Sequence, residues 1–156
     1  MPKVYLILTD GQNVLVAAGG RSGKPPVERQ GYHLPGGKYE TRDRSYMGTV
    51  IRELREETGF PLRNPVQIGG DITPAGTNGA VFIIVKEASI PGIVEWFNDP
   101  ENPDRPAVTN PNDEPFTSLA SLPLENCWKN PGFNARYLTD YFGLGLEQAV
   151  KIIPRD

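Results

Sequence analysis

Apolar residues occur in short unbroken runs in some parts of the chain and at helical spacing in others. Val4-Tyr5-Leu6-Ile7-Leu8 is continuous and is closed by Thr9-Asp10-Gly11, which predicts a buried strand ending in a turn. Val14-Leu15-Val16-Ala17-Ala18 predicts a second strand, returning beside the first as a hairpin. Residues 19–31 form a polar loop, and Tyr32-His33-Leu34 predicts a short strand running into a Pro35-Gly36-Gly37 turn. From about Tyr46 to Thr58 the pattern changes to a helix, with Met47, Val50, Ile51 and Leu54 on one inward stripe. Gly59 stands where a helix closes in a left-handed residue, and Phe60 can fold back on the last turn. Strands are predicted near 66–72 and 80–86. Residues 98–115 carry prolines at 100, 103, 106, 111 and 115 among Asn and Asp, which suits an irregular loop. Phe116 to Leu122 reads as a last strand, followed by helical spacing over Asn134 to Phe142 and Leu146 to Ile153. No internal repeat is present. Strand, helix, further strands and a final helix predict one α/β domain over residues 1–156, a mixed β-sheet sandwiched between α-helices.

Composition narrows the function classes. At 156 residues, 38% hydrophobic and 22% charged, with mean hydropathy −0.41, the chain reads as a globular domain able to bury a core. The formal net charge is −3 and no basic block exists, which argues against a nucleic-acid binder. An anionic substrate stays open, because a bound cation inverts the sign of an acidic pocket. Cys127 is the sole cysteine, so an intrachain disulfide is impossible and a cytoplasmic location is the simpler expectation. No apolar run approaches the roughly 20 residues that cross a bilayer, so no membrane association is expected.

The chemistry concentrates in residues 36–60. At 3.6 residues per turn, Glu53, Glu56 and Glu57 share an arc about 100° wide on the predicted helix. Like charges this close cost roughly 0.2–0.5 kcal/mol per pair. A hard dication would reverse that cost, and carboxylate oxygens suit Mg²⁺ or Mn²⁺. The plainer reading is a solvated helix face in which Arg52 and Glu56 form an ordinary i,i+4 pair.

Arg52-Glu53-Leu54-Arg55-Glu56-Glu57-Thr58-Gly59-Phe60 resembles the second half of the Nudix box, G-x5-E-x7-R-E-U-x-E-E-x-G-U with U apolar, at all seven specified positions. Leu34-Pro35-Gly36-Gly37 is similar to the segment that leads into the box, with Tyr32 where many members have tryptophan. The first half departs from the pattern. Counting back from Arg52 puts the family's glutamate at Arg44, while counting forward from Gly37 puts it at Asp43, as a one-residue insertion would. In the family that glutamate orients the arginine of the box. Asp43 is one methylene shorter, and Glu40 is the alternative partner for Arg52.

The resemblance implies the Nudix fold and Mg²⁺- or Mn²⁺-dependent hydrolysis of a diphosphate linkage in a nucleoside diphosphate derivative. It implies catalytic roles for Arg52, Glu53, Glu56 and Glu57. The three glutamates and the Gly36 carbonyl would hold the metal. Glu53 is one candidate general base, and Asp113 or Glu114, just before the last predicted strand, is the other. Arg21, Lys24 and Arg29 precede the Pro-Gly-Gly segment and are candidates for a second phosphate or for simple solvation. A further resemblance, to the branch that hydrolyses oxidised purine nucleoside triphosphates, rests on Pro131-Gly132-Phe133-Asn134. Asn134 would read a purine edge there, although asparagine is also a common helix N-cap. Phe133 and Trp128 stack on a base or belong to the core, and His33 is expected to be structural. The expected partner is a small nucleotide, and a homodimer is compatible with the resemblance. The competing function is a non-catalytic nucleotide-binding or regulatory module on the same fold.

Overall fold

The computed structural model describes residues 2–19, 30–74, 80–106, 115–134 and 142–154. Among these residues, six strands form one mixed sheet: β1 (Lys3–Thr9), β2 (Asn13–Ala18), β3 (Gly36–Lys38), β4 (Val66–Gln67), β5 (Val81–Lys86) and β6 (Ser118–Pro123). Their order is β4-β5-β1-β2-β6, with β3 pairing beside β1. Among the described residues, three α-helices flank the sheet: α1 (Tyr46–Thr58), α2 (Ile90–Asn98) and α3 (Phe142–Ile152).

Side chains alternate across a strand, so each central strand supplies two cores. Val4, Leu6 and Leu8 of β1, with Val81, Ile83 and Val85 of β5, face α1 and α2 through Val50, Leu54, Ile90, Ile93 and Phe97. Tyr5, Ile7, Phe82 and Ile84 face the other way, onto Leu146, Ala149 and Val150 of α3. The parallel register Val4↔Val81 through Thr9↔Lys86 keeps these two sets in phase. Full burial of each Val, Leu or Ile contributes about 1.5–3 kcal/mol, which makes the doubly covered β1–β5 pair the stable centre. The expected sheet between helices is what forms.

β1 and β2 form the expected hairpin, but only Thr9↔Val14 pair before the strands diverge. The gap is filled by residues 33–38. Ala17 and His33 exchange backbone hydrogen bonds, Leu6 N donates to Pro35 O, and β3 pairs with Lys3, Val4 and Tyr5. Here the expectation of a Pro-Gly-Gly turn is corrected. Gly36 and Gly37 are strand residues, while Tyr32 and His33 form only isolated bridges. Pairing of a strand needs backbone alone, which two glycines supply as well as any residue. The predicted strand at 66–72 is likewise only β4 plus a bridge from Ile72 to Phe82.

Helix α1 has the bounds the pattern predicted. Ser45 caps it by accepting from Gly48 N, and Gly59 ends it at φ 79°, donating to Arg55 O. Helix α2 was not among the elements predicted from the sequence. Its signals are a Ser89 cap, a proline in the first turn where no intrahelical donor is needed, and Ile90, Ile93 and Phe97 on one buried face. The stretch predicted helical over Asn134 to Phe142 lies largely outside the described residues, and the later one is α3. No helix among the described residues is long and apolar enough to cross a membrane.

Candidate functional site

The seam between β3 and α1 brings Gly36, Arg52, Glu53 and Glu57 together. The 36–39 segment runs against the helix in the opposite sense, so Gly36 lies by Glu57, Gly37 by Glu53 and Tyr39 by Tyr46. Glu57 is 1% exposed, and its Oε1 accepts from Gly36 N at 3.0 Å. Glu53 is 7% exposed and sits so close to Gly37 that a Cβ there would fall 2.4 Å from its carboxyl carbon. Gly36 is equally constrained: its φ is 154° and a Cβ would stand 2.2 Å from the Val4 carbonyl oxygen. The two glycines are therefore what allow backbone to approach both carboxylates.

Arg52 closes the seam on its outer side. Its Nε and Nη2 form a two-pronged pair with Asp43 at 2.7 and 3.0 Å. Nη2 also donates to Lys38 O at 3.1 Å, and Nη1 to Glu53 Oε1 at 2.8 Å. Such forked pairing of planar groups fixes orientation as well as charge. Asp43 further accepts from Thr49 Oγ1 and Glu40 N, both at 2.9 Å. The Arg52 hydrogen bonds hold the Asp43 carboxyl far below the usual carboxylate range, and Asp43 raises the Arg52 guanidinium in return. The shorter aspartate does reach the arginine. Glu40, at 3.9 Å from Nη1, is a secondary partner.

The extra residue in this loop is absorbed at Arg44, which adopts a left-handed φ of 66° just after the short 3₁₀ turn Thr41–Asp43. Counting forward from Gly37 is thus the register that matches the geometry.

Glu56 differs from its neighbours. It is exposed, with Arg52 Nη1 at 3.4 Å and Arg42 Nη2 at 4.0 Å. Among the described residues, no three acidic, histidine or cysteine side chains converge on one point. The donors offered by the seam are nonetheless all hard oxygens, on adjacent turns of one rigid helix, which is the donor type Mg²⁺ and Mn²⁺ take. Two carboxylates with little solvent, i and i+4 on one helix, also repel one another in a way a dication relieves.

A small cavity of about 30 Å³ lies behind the seam, lined by Lys3, Tyr5, His33, Gly36, Glu57 and Phe116. It has room for about one water. His33 is buried there, its backbone bridged to Ala17 and its ring 6.3 Å from Phe116. Phe116 N donates to Glu57 O at 3.0 Å, so the end of the proline-rich loop is fastened to the helix that carries the carboxylates. The pattern predicted a strand from Phe116 but gave no sign of this anchor.

Other sequence-predicted residues are placed as follows. Asn134 is 3% exposed; its amide donates to Gln30 O at 2.7 Å and its backbone N to Tyr32 O at 2.9 Å, which ties it to the 30–33 segment. Phe133 is buried in the core facing α3, and Trp128, partly buried, packs against that core. Cys127 is buried. Arg21, Lys24, Arg29, Asp113 and Glu114 lie outside the described residues.

Comparison with known proteins agrees with this geometry. The chain superposes on a MutT/Nudix family protein from Listeria innocua at a TM-score of 0.55 and 16% identity, covering 97% of this chain and 94% of that one. The Nudix domain of Shewanella oneidensis NrtR, solved with ADP ribose, matches at 0.51 and 20% identity over 97% and 86% of the two chains. An ADP compounds hydrolase matches at 0.56 and 14% identity, over 96% and 72%. At these identities the likeness speaks for the fold alone. No curated protein matches the chain in sequence. The model of the NUDIX domain family matches residues 1–134, which include the whole β3–α1 seam, and the chain accordingly belongs to the Nudix family.

Proposed function

We propose that the protein hydrolyses a diphosphate linkage in a nucleoside diphosphate joined to another group, with Mg²⁺ or Mn²⁺ as cofactor. The observation that carries this reading is the pair Glu53 and Glu57, held with little solvent against the Gly36-Gly37 backbone while Asp43 locks Arg52 beside them. A domain without chemistry to perform gains nothing from two like charges in that position.

Glu53, Glu56 and Glu57, with the Gly36 carbonyl, are the groups that would hold the metal. When bound, a divalent ion neutralises phosphate oxygens and lowers the pKa of water that attacks phosphorus. The rest is positioning and charge stabilisation. Arg52, itself fixed by Asp43, orients the Glu53 carboxylate through the 2.8 Å contact at Nη1. Glu53 would accept the proton of the attacking water. Asp113 and Glu114 are the second candidates for that step, because they immediately precede the loop end fastened to Glu57 O. Arg21, Lys24 and Arg29 are candidates for a second phosphate.

The test is a panel of ADP-ribose, nucleotide sugars, dinucleoside polyphosphates and nucleoside triphosphates, with Mg²⁺ or Mn²⁺ and product identification. ADP-linked compounds lead the panel because structural neighbours bind ADP ribose or act on ADP compounds. Turnover that chelator abolishes supports the proposal. The reading as a binding module is favoured by one observation, the engagement of outward-facing Glu56 with Arg52. Tight binding of a panel member without turnover, with either metal, would establish it instead.

A further inference from the structure

A second feature lies on the same seam, two turns of helix from the carboxylates. An open cleft of about 340 Å³ at the N-terminal end of α1 is lined by Tyr39, Arg44, Ser45, Tyr46 and Asp71. That volume reaches the range of small-molecule sites, roughly 300–1,000 Å³, whereas the 30 Å³ cavity behind the seam does not.

Its chemistry is mixed in an informative way. Tyr39 and Tyr46 meet edge to face, with centroids 5.4 Å apart and planes at 81°. Both rings are only partly buried against the core. Arg44 is exposed, and its guanidinium makes no hydrogen bond or ion pair among the described residues. The Asp71 carboxylate, steadied by Gln67 Nε2 at 2.9 Å, also lines the cleft. Aromatic surface, a free cation and a carboxylate around one opening suit a flat heterocycle with acceptors on one edge and donors on another.

Position connects this cleft to the candidate reaction. At 100° per residue, Glu53 and Glu57 each fall within about 20° of Tyr46 around α1, and Tyr46 and Glu53 are about 10 Å apart along the axis. An extended nucleotide with its phosphates beside Glu53 would reach Tyr46 with its base. Arg44, which completes the cleft, lies in the segment between Asp43 and Arg52 that is one residue longer than in the family's box, and it occupies a backbone conformation that a side chain of its kind rarely adopts.

We propose that this cleft receives the nucleobase of the substrate, with Tyr39 and Tyr46 supplying stacking surface and Arg44 and Asp71 contacting the ring edge. The assignment of a nucleotide as ligand rests on the hydrolase reading; the cleft itself does not.

The experiment is calorimetric titration of the full chain with AMP, GMP, CMP, UMP and ribose 5-phosphate, none of which contains a diphosphate. At least one monophosphate is expected to bind at least about tenfold more tightly than ribose 5-phosphate, the scale of one stacked base. Arg44→Gly should weaken that ligand roughly fivefold or more, yet leave the melting temperature unchanged or higher, because glycine accepts the 66° φ freely. Asp71→Ala and Tyr46→Leu should weaken it as well. Equal binding of all five compounds, or variants that match the parent, would overturn the proposal. The same preparations are assayed on the diphosphate panel. Turnover with KM unchanged in Arg44→Gly removes the cleft alone, whereas base-dependent binding without turnover removes the hydrolase reading and leaves the cleft.

Discussion

Helices α1 and α2 are built to the same plan and bury different things. Both lie on one face of the sheet, and each begins with a serine whose hydroxyl accepts from a glycine N–H three residues later. Helix α2 turns only Ile90, Ile93 and Phe97 inward. Helix α1 turns in Val50 and Leu54, but also Thr49, Glu53, Glu57 and Thr58. Burying carboxylates costs several kcal/mol each unless they are paired and hydrogen-bonded. The sheet beside α1 meets part of that cost with Gly36 N–H, and Arg52 meets another part. Two helices that begin alike thus differ in use, one packing apolar side chains and one holding charge where water is scarce.

The sharpest way to test this division is to damage each helix in kind. Glu57→Gln keeps an acceptor for Gly36 N and is expected to cost at least about 100-fold in turnover with little change in melting temperature. Phe97→Ala in α2 is expected to cost about 3–5 kcal/mol of stability, read by denaturant titration, with turnover per folded molecule retained. If the glutamine variant unfolds and the alanine variant loses catalysis, the division is wrong.

Next in size is the clamp on Arg52. Asp43→Asn should lower turnover about tenfold or more and destabilise the fold by about 3 kcal/mol, because a largely buried guanidinium loses its charged partner. The Asp43 carboxyl is depressed in the folded state, so its stabilising contribution is complete above the unfolded value near 3.9 and is lost as pH falls below it. The stability difference between parent and variant, followed by thermal unfolding, should be flat from pH 7 to about 5 and shrink below about 4. A difference that grew on acidification would show that some other group carries it.

Gly37→Ala is a finer probe. The added methyl displaces Glu53, the mobile end of a side chain, so turnover should fall about tenfold for a stability loss near 1 kcal/mol. Gly36→Ala, which meets the rigid Val4 carbonyl, should reverse those proportions. The smallest effect treats both helices alike: Ser45→Ala and Ser89→Ala should each cost about 1 kcal/mol by thermal melting.

Much of this was legible along the chain, for a physical reason that differs between elements. Strands β1, β2 and β5 showed as unbroken apolar runs because both of their faces are covered or nearly so. Helix α1 was legible because its apolar stripe and its closing glycine are local signals; its serine cap emerged only in the structure. Helix α2 went unread because Pro91-Gly92 obscured a short apolar face, and the strand at Gly36-Gly37 because glycine has no side-chain pattern to read.

By itself the sequence determined the alternation of strands and helices, the family and the three glutamates on one helical arc, since each depends on spacing within a few residues. Tertiary structure decided which of those glutamates are buried, which carboxylate grips Arg52, and that a tyrosine-lined cleft continues the same seam. Those outcomes depend on how closely β3 approaches α1, a distance between segments that no periodicity within either one encodes.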